Sequence, residues 1–143
     1  MNRSQQKLAA FLDFAKSLAG LSTCRRLQVG CAIVARDLTT VYSIGYNGPA
    51  AGEDNDSCSG DTGDCGCVHA EANAVAKLAT ADRDCLLITT TSPCRSCAGL
   101  IVNCGRVTAV IYDTQYRDPA GMERLRRAGL IVADEREALC ERS

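Results

Sequence analysis

Tryptophan is absent from this chain, aromatic residues make up only 4% of it, and histidine occurs once, at position 69. A polynucleotide binder ordinarily offers a basic stripe or exposed aromatic platforms for stacking. The formal charge of −1 and a pI near 5.8 offer neither, so no long nucleic acid is expected as a partner. The basic run MERLRRAGL reads as the solvated face of an amphipathic helix. No stretch of roughly 18 or more apolar residues occurs, which removes the signal of a membrane-spanning helix. The N-terminus also lacks the charged, apolar and small-residue order of a secretory signal, so a soluble, cytoplasmic protein is expected. There is no internal repeat or low-complexity tract. The 143 residues, 46% apolar and 23% charged, suit one compact domain covering 1–143.

Cysteine is the exception, with ten in the chain. Without a secretory segment, that number points to metal ligation and buried thiols rather than to a disulfide framework.

Leu8, Phe11, Leu12, Ala15 and Leu18 recur at helical spacing, and Gly20 offers a stop, so roughly Ser4 to Ala19 reads as an amphipathic helix. VGCAIVA and TVYSIGY are β-rich runs separated by RDLT, which suits a hairpin. Asn47 to about Gly66 is rich in Gly, Asp, Asn and Ser and has no periodicity, so it reads as an irregular loop, mobile unless something pins it. Its acidic residues do not fit the EF-hand pattern. Beyond it the order is a helix from about Val68 to Leu78, the strand CLLITTT and a helix opened by Pro93. The strand VTAVIYD, a helix near Met122 to Arg127 and the short strand LIVA follow. Asp134 to Ser143 reads as a short charged helix or a frayed end. Alternating strands and helices predict a sheet with parallel pairs, covered on both faces, in a three-layer α/β architecture.

SPCRSC supplies Cys94 and Cys97 three residues apart, with Pro93 suited to the first helical turn because it has no N–H to leave unpaired there. The positive end of a helix favours thiolate, the form that binds zinc. His69 is likewise expected to open a helix after a loop. One imidazole and two thiolates make three protein ligands and leave one tetrahedral position open, as catalytic zinc requires. Glu71 is placed as a proton shuttle beside that position. The bland alternatives are a redox C-x-x-C, which leaves His69 and Glu71 unexplained, and a histidine bonded to backbone at a helix start. Against both, His69-x-Glu71 with Pro93-Cys94-x-x-Cys97 beginning 22 positions after Glu71 matches the H-x-E…P-C-x-x-C signature of zinc nucleobase deaminases.

On these residues, together with STCRRLQVGCAIV, SIGYNGPAAG and HAEANA, the chain resembles the cytidine deaminase superfamily, and within it the deoxycytidylate (dCMP) deaminase branch. The likeness covers roughly Leu18 to Val132. It implies a three-layer α/β/α fold with a five-stranded mixed sheet. It also implies zinc on His69, Cys94 and Cys97, with Glu71 as general acid/base. The implied reaction is hydrolysis of dCMP to dUMP and ammonia, which feeds thymidylate synthesis. Asn47 resembles the residue that bonds the sugar, and the backbone at Ala70 and Ser92 resembles the pyrimidine-edge contacts. Arg25 and Arg26 of CRR are the candidate 5′-phosphate contacts. A second, structural zinc in some relatives ties the long loop to the end of the first helix. Its counterparts here are Cys24, Cys58, Cys65 and Cys67, although the one-residue gap in CGC is unusual spacing. Cys31, Cys85 and Cys104 read as core, and Cys140 lies in the tail.

A homo-oligomer, a hexamer in the family, and control by deoxynucleoside triphosphates are implied by the resemblance alone. The chain departs from the branch at Thr80, where many members carry a basic residue, with Lys77 three positions earlier. A modified deoxycytidylate, a free nucleoside or base, or a tRNA base therefore stays open as the substrate. From another class, a zinc-stabilised binding module without activity stays open too.

Overall fold

In the computed structural model, which describes residues 1–141, the first element is the helix α1, Arg3–Ala19. Asn2 caps it with a capping box: its side chain accepts the Gln5 backbone N–H at 2.9 Å, and Gln5 Oε1 accepts the Asn2 N–H at 2.7 Å. The stripe Leu8, Leu12, Ala15 and Leu18 is buried, as the helical spacing requires.

Strands β1 (Gly30–Ala35) and β2 (Val41–Tyr46) form the antiparallel hairpin, and β1 also pairs antiparallel with β3 (Cys85–Thr91). From β3 onward the pairing is parallel, to β4 (Val107–Thr114) and then β5 (Ile131–Asp134). The sheet order is β2-β1-β3-β4-β5, five strands of mixed direction. β1 and β3 are buried along their whole length, whereas β2, at the edge, alternates. That difference follows from position: an interior strand has both faces covered and reads as a continuous apolar run.

Helices α2 (Ala70–Ala76), α3 (Arg95–Cys104), α4 (Ala120–Arg127) and α5 (Glu135–Glu141) complete the chain. Leu8, Leu12 and Ala138, from α1 and α5, pack with Ala32, Val34, Leu86 and Ile88 on one face of the sheet. Ala70, Ala74, Ala98, Ile101 and Leu125, from α2, α3 and α4, pack with Cys31, Ile33, Cys85 and Leu87 on the other. The alternation along β1 and β3 assigns each side chain to its layer. Of the tail, Glu135–Glu141 is helical, and Arg142 and Ser143 lie outside the described residues. Among the described residues no helix is long and apolar enough to cross a membrane.

Two boundaries differ from the sequence reading. α2 begins at Ala70 because Val68 is taken by a two-way backbone bridge to Gly48, with Val68 N–H donating to Gly48 O at 2.7 Å. α3 begins at Arg95, so Pro93 precedes the helix and Cys94 is its cap rather than a member of its first turn.

Candidate metal centre and pocket

Both helix starts meet at the end of β3. His69 caps α2 in an extended conformation, φ −69° and ψ 153°, while Cys94 caps α3, φ −70° and ψ 169°. Neither residue is inside its helix, and each stands at the positive end of the backbone dipoles. His69 Nδ1 lies 3.4 Å from Cys94 Sγ and 3.3 Å from Cys97 Sγ. The Cys97 backbone N–H donates to Cys94 Sγ at 3.5 Å.

The charges of this trio are interdependent. The Cys97 thiol beside Cys94, joined by His69, pulls Cys94 down to about 4. Cys97 is driven up by the neighbouring Cys94 and by burial, and His69 is raised, chiefly by its contact with Cys94. Two thiols this close ionise together only if a cation compensates them. Two soft sulfurs and an imidazole, all within 4.8 Å of one another, are a donor set that fits zinc.

Glu71, in the first turn of α2, is 4% exposed. Burial raises its carboxyl above the usual range. Thr89, fully buried on β3, donates its one hydroxyl proton to Thr91 O at 2.9 Å, and its Oγ1 lies 3.4 Å from Glu71 Oε1. Around this carboxyl lies a pocket lined by His69, Ala70, Cys94, Ser92, Asn47 and Arg26, with Leu27, Tyr116 and others completing the wall. The residues read from the sequence thus come together, with one division among them. Arg26 lines the pocket, whereas the Arg25 guanidinium reaches toward Asp56 O at 3.5 Å, on the long loop.

Asn47 is more engaged than its sequence context suggests. Its Oδ1 accepts the Val29 N–H at 2.8 Å and its Nδ2 donates to Leu27 O at 2.5 Å, which locks the end of β2 to the segment entering β1. Ser92 is held twice, its N–H donating to Thr114 O at 2.9 Å and its Oγ accepting the Tyr116 N–H at 2.6 Å.

The four thiols of Cys24, Cys58, Cys65 and Cys67 form a second group within 4.8 Å. Cys24 Sγ lies 3.7 Å from Cys65 Sγ and 4.0 Å from Cys58 Sγ. The Arg25 backbone N–H donates to Cys58 Sγ at 3.4 Å and is the main reason that thiol falls to about 6. Burial pushes Cys67 up. The CGC spacing therefore does not keep Cys67 out of the group. Cys31 and Cys85 are fully buried in the core, Cys104 is half-buried and Cys140 is exposed.

Thr89, Leu27 and Tyr116 were not singled out from the sequence. Strand period offered a signal for Thr89, because positions 85, 87 and 89 share the face that carries α2 and α3. Tyr116 had a weaker one, standing just past the end of a parallel strand, where α/β proteins gather their sites.

A five-stranded mixed sheet between helical layers, with imidazole, paired thiols and a buried carboxyl at the joined starts of two helices, defines the cytidine deaminase-like α/β class. Residues 5–114 match the family described as the cytidine and deoxycytidylate deaminase zinc-binding region, and the chain belongs to that family. It is 33% identical over 136 residues to the deoxycytidylate deaminase of Saccharomyces cerevisiae, covering 85% of this chain and 42% of that protein. It is 36% identical over 124 residues to a Caenorhabditis elegans protein named "Probable deoxycytidylate deaminase", covering 82% and 61%. The chain thus spans less than two thirds of the length of these relatives. The crystal structure of the dCMP deaminase from the cyanophage S-TIM5, in complex with dCMP and dUMP, superposes with a TM-score of 0.79 at 27% identity, covering 94% of this chain and 98% of that one.

Proposed function

We propose that this chain is a zinc-dependent hydrolase that converts dCMP and water to dUMP and ammonia. The observation that carries the reading is the convergence of His69, Cys94 and Cys97 beside the buried carboxyl of Glu71 in one pocket. A relative bound to dCMP and dUMP, alike over nearly the whole chain, supports the choice of substrate.

On this reading His69, Cys94 and Cys97 hold the ion. When bound, zinc supplies a Lewis acid that activates water at neutral pH. Glu71 takes the proton released as the C4–O bond forms and delivers it to N3, then takes the proton of the new C4 hydroxyl and hands it to the exocyclic nitrogen as the C4–N bond breaks and ammonia leaves. Burial suits it to the task, since a carboxyl with a raised pKa can hold a proton between steps near neutral pH. Backbone groups at Ala70 and Ser92 face the pyrimidine edge. An Asn side-chain amide has two N–H bonds, so Asn47, which gives one to Leu27 O, keeps a second for the sugar. Arg26 is the cation in reach of a 5′-phosphate, and Arg25 braces the loop. Cys24, Cys58, Cys65 and Cys67 hold a second, structural zinc, closed by four thiolates. The chain acts as a single domain, 1–143, on a free nucleotide in the cytoplasm, and assembles with copies of itself.

The test compares ammonia release from dCMP, CMP, deoxycytidine, 5-methyl-dCMP and guanine, with Glu71→Gln as the control. The expected result is a preference for dCMP, and for Glu71→Gln a loss of about 10²–10⁴-fold in kcat with zinc retained. Full activity in Glu71→Gln, or indifference to the 5′-phosphate, would overturn the assignment.

A further inference from the structure

The four-thiol group has no part in the proton chemistry, yet Cys24, Cys65 and Cys67 line the same pocket as His69 and Glu71. Their places in the chain give that contact a consequence. Cys24 stands two residues before Arg26, and Cys67 two residues before His69. One end of the cluster therefore lies two residues from the pocket's cation and the other two residues from the candidate metal centre's imidazole.

Between the two ends, the Gly48–Val68 bridge closes the base of the loop and the Arg25 guanidinium reaches Asp56 O, but little else ties its middle to the body of the fold. From residue 50 to residue 66 there is no helix or strand, and Cys58 is the one buried residue, at 3% exposure. Apolar burial contributes little to such a segment, because Cys58 is its one side chain in the core. Inside the loop, the sulfurs are the buried contact that can order this wall. A tetrahedral ion with four thiolates would fix the directions of all four chains at once, whereas thiols alone supply only weak hydrogen bonds.

Resting on the function proposed above, we propose that the ion held by Cys24, Cys58, Cys65 and Cys67 sets nucleotide affinity, by fixing Arg26 and His69 at the two sides of the pocket. Occupancy of this site acts on binding and leaves the hydrolytic step to the first zinc.

Cys58 separates the effects, since it is the one member of the group that does not line the pocket. In the full chain loaded with zinc, Cys58→Ser is expected to lower the metal content from about two ions per chain to about one. Hydrogen exchange across 50–66 rises, and calorimetric affinity for dUMP, which is not turned over, falls about tenfold, an ordinary size for coupling between two sites. Turnover at saturating dCMP falls much less. Cys58→His, which keeps a ligand, restores the second ion and the affinity, and so separates loss of the metal from misfolding. Loss of the second ion with dUMP affinity unchanged would overturn the proposal, as would a wild-type chain that binds only one zinc. His69→Ala removes turnover but keeps one zinc and the protection of 50–66. A wild-type chain that binds two ions but no nucleotide overturns the function proposed above, a failure distinct from nucleotide binding that ignores the cluster.

Discussion

Thr89 shows how much one hydroxyl beneath a functional side chain can matter. It is fully buried, stands opposite Cys31 in the β1–β3 register, and points toward the carboxyl of Glu71. Its proton is committed to Thr91 O, so a lone pair of the hydroxyl faces Glu71 and can accept from the carboxyl in its protonated form. With valine the shape of the site would survive and the contact would not. Thr89→Val is expected to lower kcat by up to about tenfold with little change in KM, because a neutral hydrogen bond contributes about 0.5–1.5 kcal/mol. Thr89→Ser should recover most of the loss. Steady-state kinetics on the three proteins decide it, and an unchanged kcat in Thr89→Val would remove Thr89 from the site's function.

At the scale of elements, the turns that carry His69 and Cys94 are seated on glycines. A Cβ at Gly121 of α4 would run into Pro93 O and come 2.8 Å from the Cys94 carbonyl carbon. One at Gly45 of β2 would collide with Ala70 O and approach Ala74 N to 2.9 Å. Both obstacles are backbone, which cannot swing aside as a side chain can. Gly121→Ala and Gly45→Ala are each expected to cost about 1–3 kcal/mol of stability, the usual range for overpacking. Gly121→Ala should also weaken zinc retention, because it displaces the cap of α3. Gly99→Ala is the control, since its nearest obstacle is the flexible end of Arg124. Urea unfolding and metal analysis of the three variants check the ranking. The elements themselves were legible in the sequence, because helical and strand periods are written in neighbouring residues. Their seating was not, since a glycine in α4 says nothing of the loop lying across it.

For the whole molecule, pH should set how much zinc stabilises the protein. Without metal, His69 has its pKa raised by Cys94, and the stability this contributes is fully present below the unfolded value of 6.5 and lost as pH rises through the raised one. Cys94, pulled from 9.0 down to about 4, contributes stability that is present above 9 and lost as pH falls toward 4. Zinc demands a neutral imidazole and two thiolates, so protons compete with it as pH falls through the histidine range. The gain in Tm on adding zinc is therefore expected to shrink steadily from pH 8 to pH 5, measured by thermal unfolding with and without chelator. A gain independent of pH would mean that His69 does not bind the ion.

The sequence by itself determined the elements and the local chemistry. The stripe of α1, the apolar runs of β1 and β3, and the close pairs His69–Glu71 and Cys94–Cys97 are patterns among near neighbours in the chain, set by helical and strand geometry. Only the tertiary structure decided which distant residues meet. Arg26 rather than Arg25 faces the pocket, Cys67 joins Cys24, Cys58 and Cys65 despite its spacing, and Asn47 uses most of its side chain to hold the scaffold. Such meetings depend on sheet order and on the path of a loop without periodicity. The sulfurs of that loop declare their partners only once the chain has closed.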